Sequence, residues 1–290
     1  MALVVVIVAL RVTTHAPSRP TSAAAPAIHA ATLPPPPPIS EDCRADAWRA
    51  AAAANRQSLV ALAWAPFGRN ETGWATYAPL IGREIATACG PDTPGFAAAY
   101  ARWQSAHKLS ADGVVKAADF PAMRTEIELR RPFVQLTSKG ICPPPPADAA
   151  LQTARPDEAY GGKPVQLRAG ALAAYRALVA AAQAEGVARE PNILKLVSGF
   201  RGPAEESARC ADGSCNTLTR ASCSAHRTGL AMDLYLGHAP GMDPTSTDDA
   251  NRAAMAATPE YRWLVANAGR FGFLPYPFEP WHWEWTGEAP

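Results

Sequence analysis

The chain has 290 residues, enough for more than one domain, and 48% of them are hydrophobic, ample for buried cores. Its formal net charge is only +1, which removes the electrostatic case for binding nucleic acid. Twenty-nine prolines, several of them clustered, point to extended spacers between folded units.

Ala2 to Leu10 form an apolar run, shorter than the roughly 20 residues a bilayer-spanning helix needs. Small residues follow at Ser22 to Ala25, Ala27 and Ala30. The pattern predicts a signal peptide over residues 1–30, cut near Ala25 or Ala30, although no Lys or Arg precedes the run. The mature chain is then exported, has no stable membrane span, and is expected to be a monomer. The six cysteines (Cys43, Cys89, Cys142, Cys210, Cys215 and Cys223) agree with export, because an even number suits disulfides in an oxidising compartment. Three fall in each half, so full pairing needs at least one bridge between halves. The connectivity itself stays open. A rival reading makes Cys210, Cys215, Cys223 and His226 a structural zinc site, with a spacing unlike common zinc fingers.

Five consecutive prolines, Pro34 to Pro38, make residues 31–42 an extended linker. A small helical domain is predicted over residues 43–142. Its first helix runs through the alanine-rich stretch from Ala45 to Ala63. A second, from Gly95 to Ala106, places Phe96, Tyr100 and Trp103 on one face. Leu109 to Val115 reads as a turn broken at Asp112-Gly113, and a further helix spans Ala117 to Arg130. Pro143 to Pro146 open a second linker, residues 143–156. From residue 157 to 290 helices and strands mix without regular alternation, so the fold class is α+β: a small antiparallel sheet with flanking helices. A helix from Ala169 to Glu185 carries an apolar stripe of Leu172, Tyr175, Leu178 and Val179. Strands are predicted over Ile193 to Val197, Gly229 to Leu236 and His282 to Trp285, and a helix over Pro259 to Phe271, ended by Gly272.

The chemistry concentrates in three segments. Ser224-Ala225-His226 leads into the second strand, which carries Asp233. Glu279-Pro280-Trp281-His282 opens the last strand. Two histidines and an aspartate are a ligand set for a catalytic zinc, one ion per chain, with a fourth position left for water. Glu279 and His282 would face opposite sides of a straight strand, so a bend at Pro280 is needed to bring both to one site. Arg201, after Ser198-Gly199-Phe200, sits where a guanidinium fork could meet a carboxylate or a developing oxyanion.

These ordered motifs, Ser-Gly-Phe-Arg, Ser-x-His-x-x-Gly-x-Ala-x-Asp and Glu-Pro-Trp-His, resemble the zinc D-alanyl-D-alanine carboxypeptidases of the vancomycin-resistance type. The stretch from Trp263 to Phe273 is similar to that family's helix before the final motif. In the first half, Phe96, Trp103-Gln104 and Leu109 to Val115 resemble a peptidoglycan-binding domain, although Lys116 and Ala117 depart from its usual continuation. The resemblance implies that His226, Asp233 and His282 bind zinc, that Glu279 serves as base and then acid, and that Arg201 stabilises charge on the scissile carbonyl. It implies that Trp281 walls the site and that Ser224 meets substrate. The implied activity is removal of the terminal D-alanine from peptidoglycan stem peptides, in the periplasm or at the cell wall. A DD-dipeptidase, an endopeptidase of the same fold, or a non-catalytic wall-binding protein are the alternatives. Glu205 and Glu206, where many relatives carry glutamine, and the cysteine-bearing segment from Ala211 to Cys223 are the departures from the family pattern. His238, Asp243, Asp248 and Asp249 are read as loop residues rather than ligands.

Overall fold

The computed structural model describes residues 43–290 except 45, 217, 219 and 220. The expected signal segment and the Pro34 to Pro38 run lie outside the described residues.

The first half is helical. Helix α1 (Arg49–Ala61) follows a short 3-10 turn. A two-stranded ribbon of β1 (Ala63–Trp64) and β2 (Glu71–Thr72) precedes α2 (Ala78–Glu84) and α3 (Pro94–Ala106). Helix α3 starts where Thr93 caps it and Pro94 fixes the first turn. It buries Phe96, Tyr100 and Trp103 as the spacing predicts. Helix α4 (Phe120–Leu129) and α5 (Pro132–Thr137) complete the half. The turn between α3 and α4 is tied by buried amides. Gln104 accepts from the Gly113 N–H at 2.8 Å, and Asn55 donates to the Gly113 carbonyl at 2.9 Å. Gly113 has φ +72°, and a Cβ there would lie 2.6 Å from the Ala97 carbonyl oxygen, so the breaker read from the sequence must be glycine. A Cys43–Cys89 disulfide closes the half at its start.

The second half is built on a four-stranded antiparallel sheet. Strand β3 (Leu151–Thr153) pairs with β4 (Gln166–Arg168), and α6 (Ala169–Ala184) follows directly. Then come β5 (Leu196–Ser198), α7 (Pro203–Arg209), β6 (Ala231–Leu234), α8 (Asp249–Ala256), α9 (Pro259–Asn267), β7 (Phe273–Tyr276) and β8 (Glu279–Trp285). The sheet order is β5-β6-β8-β7. Leu172, Tyr175 and Leu178 of α6 pack with Leu196, Met232, Leu234, Leu264 and Trp283 into one core.

Several boundaries differ from expectation for local reasons. Leu194 takes a left-handed φ of +64°, so the first strand begins at Leu196. Gly229, at φ +68°, ends a 3-10 turn over Ala225–Thr228, and β6 starts two residues later. All four β6 residues are buried because both faces of this central strand are covered. The helix expected to Phe271 tightens into a 3-10 turn over Ala268–Phe271 before Gly272. Strand β7 escapes sequence reading because Pro275 lies inside it; an edge position tolerates that missing donor.

The halves share a buried interface. The Arg252 side chain has 0% relative exposure. It meets Glu71 at 3.0 Å, donates to the Tyr77 hydroxyl, and donates through Nε to the Phe278 carbonyl at 2.8 Å. Its guanidinium also lies 4.0 Å from the Phe278 ring centroid. Phe67 of the first half packs against Tyr276 and Phe278. Leu80 of α2 joins the core of the second half. The Cys142–Cys223 disulfide is the bridge between halves that the cysteine count requires.

Candidate metal centre and active site

The sheet register sets the geometry. Asp233 of β6 is directly opposite His282 of β8, and Ser198 of β5 is opposite Asp233 on its other side. His226 enters from the 3-10 turn, whose N-cap is Ser224: the Ser224 hydroxyl accepts from the His226 N–H at 3.3 Å. The three predicted ligands therefore converge. His226 Nε2 lies 3.2 Å from Asp233 Oδ1 and 3.2 Å from His282 Nδ1, and His282 Nδ1 lies 3.0 Å from Asp233 Oδ1. One donor atom from each lies within 4.8 Å of the others, and all three residues are buried.

The outward nitrogens of both rings are committed. His226 Nδ1 faces the Gly199 carbonyl at 2.6 Å, and His282 Nε2 faces Glu284 Oε1 at 3.2 Å. Each can donate its N–H outward, which turns the lone pair of the other nitrogen into the centre. Two ring lone pairs and a carboxylate oxygen then point at one spot. Such a set repels itself unless a cation sits between its members, and two nitrogens with one oxygen suit zinc.

The electrostatics match that reading. Burial, aided by the nearby Arg201, lowers His226 to about 4 and keeps it neutral. Burial also opposes charge on His282, but hydrogen bonds to Asp233 and Glu284 outweigh it and raise that ring to about 9. Asp233 stays well below the ordinary carboxylate range, its burial offset by the two histidines.

Glu279 and His282 reach the same cleft through a break in register. Strand β8 pairs Trp283 with Pro275 but Glu279 with Tyr276, so the residues between them bulge. This is the bend that the pattern around Pro280 demands. Loss of hydration raises the Glu279 carboxyl to about 7, with Asp233 pushing the same way and His282 and Arg201 opposing. Arg201 donates to Ser198 Oγ at 3.0 Å and to Ser224 Oγ at 3.4 Å, and lies 3.8 Å from Asp233.

Arg201 and Glu279 line two adjoining clefts. The larger, about 560 Å³, is walled by Phe133, Val134 and Thr137 of α5 and by Cys215, Leu218 and Ser222. The other, about 470 Å³, is polar and includes Lys163, Glu205, Arg209, Asp233, Thr245 and Trp281. Trp281 lines this polar cleft. Glu205 faces the polar cleft, whereas Glu206 is buried and accepts from the Ser224 N–H at 3.0 Å and from Arg227 Nε at 2.7 Å.

The rival cysteine zinc site is excluded. Cys210 pairs with Cys215 and Cys223 with Cys142, and His226 faces Asp233 instead. His238, Asp243, Asp248 and Asp249 stay outside the cluster; Asp249 pairs with Arg69.

Three contributors were not singled out from sequence. Glu284 is two residues after His282, and period two alone places both on one strand face. The Gly199 carbonyl is a backbone group with no sequence signal. Arg131, which pairs with Glu284, lies 153 positions away, beyond any local pattern.

Residues 164–288 match the model of the VanY family, D-alanyl-D-alanine carboxypeptidase. No curated protein matches the chain. Among solved structures, the LdcB LD-carboxypeptidase is similar at 22% identity over 49% of this chain and 70% of its own, with a TM-score of 0.37. A variant of the VanY D,D-pentapeptidase from a VanB-type resistance cassette, in complex with Zn(II), is similar at 21% identity over 49% of this chain and 83% of its own, with a TM-score of 0.30. VanYB in complex with D-alanine-D-alanine shows 21% identity over 49% and 81%, with a TM-score of 0.30. Likenesses this distant assign no function by themselves.

Proposed function

We propose that the protein is a zinc-dependent DD-carboxypeptidase that acts outside the cytoplasm and removes the terminal D-alanine from peptidoglycan stem peptides. One observation carries the reading. Within the segment that matches the VanY family, His226, Asp233 and His282 converge on one point, and Glu279 and Arg201 line the clefts beside it.

His226 Nε2, Asp233 Oδ1 and His282 Nδ1 would hold the zinc ion, which supplies Lewis acidity toward a carbonyl oxygen and makes water easier to deprotonate. Glu279 is the base. Its carboxyl, raised to about 7, accepts a proton from the attacking water and returns it to the leaving amine of D-alanine. Arg201 presents its guanidinium to the scissile carbonyl oxygen as negative charge develops there; its bonds to Ser198 and Ser224 fix its direction beforehand. Trp281 and the walls around Glu279 exclude bulk water. Lys163 and Arg209 at the polar cleft suit the free carboxylate of the departing residue.

One feature favours an endopeptidase as the second reading. The polar cleft, at about 470 Å³, has room for more than one alanine past Glu279. A product mass spectrum separates the readings. Purified protein is incubated with a muropeptide ending in D-Ala-D-Ala and with a cross-linked muropeptide, each with and without a zinc chelator. Chelator-sensitive loss of a single alanine is the expected outcome. Loss of the dipeptide, or cleavage of the cross-linked substrate alone, would replace it.

A further inference from the structure

The buried ion pair at the boundary of the halves points into the metal centre. Arg131 immediately precedes α5 in the first half, and Glu284 lies on β8 in the second. Arg131 Nε donates to Glu284 Oε1 at 3.1 Å, and a second guanidinium nitrogen donates to the same oxygen. That oxygen also faces His282 Nε2 at 3.2 Å. The Arg131 and Glu284 side chains are 6% and 4% exposed. Arg131 further lies over the Tyr276 ring, 4.5 Å from its centroid, and Tyr276 stands edge-on to His282 at 5.9 Å.

We propose that Arg131 is a positioning residue for the metal ligand His282, acting through Glu284. The inference rests on the zinc reading given above. A carboxylate behind a ligating histidine fixes its tautomer and makes it a stronger donor. A carboxylate this deeply buried holds its charge only with a cation beside it. Arg131 is that cation, and its fork onto one oxygen sets where the oxygen sits. The Tyr276 ring, held between Arg131 and His282, limits the tilt of the imidazole from the other side. The first half therefore reaches the metal through one side chain and one carboxylate. His226 has no such line: its outer nitrogen meets a backbone carbonyl of its own half.

The test is zinc affinity, measured by competition with a chromogenic chelator at fixed pH, together with the thermal midpoint of each variant. Wild-type protein should bind one zinc per chain; if it binds none, the zinc reading falls and this inference with it. Arg131→Met should weaken zinc about 10-fold or more, and Glu284→Gln should do likewise. The double variant should lose no more than the worse single one, because both changes cut the same line. Arg130→Met, which breaks the neighbouring pair with Glu84, should lower the midpoint and leave zinc affinity alone. Arg131→Lys, which keeps the charge without the fork, should fall between wild type and Arg131→Met. If Arg131→Met does not fold, Arg131→Lys and Glu284→Gln decide. Wild-type zinc affinity in folded Arg131→Met, or in both of the milder variants, would overturn the proposal while leaving the zinc reading intact.

Discussion

Two connections tie the first half of the molecule to the cluster of His226, Asp233 and His282, and they are chemically opposite. On the His226 side the tie is covalent: Cys142 bonds to Cys223, three residues before that histidine. On the His282 side it is ionic: Arg131 meets Glu284, two residues after that histidine. The disulfide limits how far the backbone can stray but leaves the ring to a local partner, the Gly199 carbonyl. The ion pair acts on the imidazole itself. A cross-link is thus suited to holding a loop, and a charge to holding a side chain.

A change that spares both connections sets the scale. Glu279→Gln removes the proposed base and leaves His226, Asp233 and His282 in place, so turnover should fall about 10²- to 10⁴-fold while zinc content stays at one per chain. Near-normal turnover would show that the proton moves elsewhere. Cutting the covalent tie comes next. Replacing Cys142 and Cys223 together by serine should cost about 2–4 kcal/mol in a denaturant titration, because the bridge closes a separation of 81 residues. Unchanged stability would mean that the ion pairs and the packing of Phe67 and Leu80 hold the halves without the bridge.

The smallest effect is expected in the pH dependence of chelator-treated protein, where the two histidines should pull in opposite directions. His282, raised to about 9, favours the folded state when protonated; its contribution is full below about 6.5 and is lost as pH rises through 9. His226, lowered to about 4, favours the folded state when neutral; its contribution is lost as pH falls from about 6.5 toward 4. Each is of order 1–3 kcal/mol at most. His282→Asn should flatten the alkaline slope and His226→Asn the acid one. The same slope in both variants would erase the distinction between the two sides.

What the sequence made legible follows from the range of each signal. His226, Asp233, His282, Arg201 and Glu279 are carried by short motifs whose order could be read directly. Strand β6 was legible because Asp233 lies in an apolar run, and α3 because its aromatics repeat at helical spacing. Strand β7 was hidden by Pro275, whose tolerance depends on an edge position that only the sheet order reveals. Glu284 was within reach of a period-two argument from His282. Arg131 was not: a partner 153 positions away is chosen by how the halves pack, and no local pattern encodes it. The same holds for α5 as a wall of the cleft, since a six-residue helix in the first half has no mark of the site it borders.

The buried Arg252 makes these halves hard to trade between lineages. Its charge is met by Glu71 and the Tyr77 hydroxyl, both from the first half, and by Asp249 and a carbonyl from its own. A recombination that brought a different first half would have to deliver a carboxylate and a hydroxyl to the same point, or leave a buried guanidinium to Asp249 and one carbonyl. Descent with both halves together is the easier path, so shuffling at the Pro143 to Pro146 seam is disfavoured by a residue more than a hundred positions downstream of it.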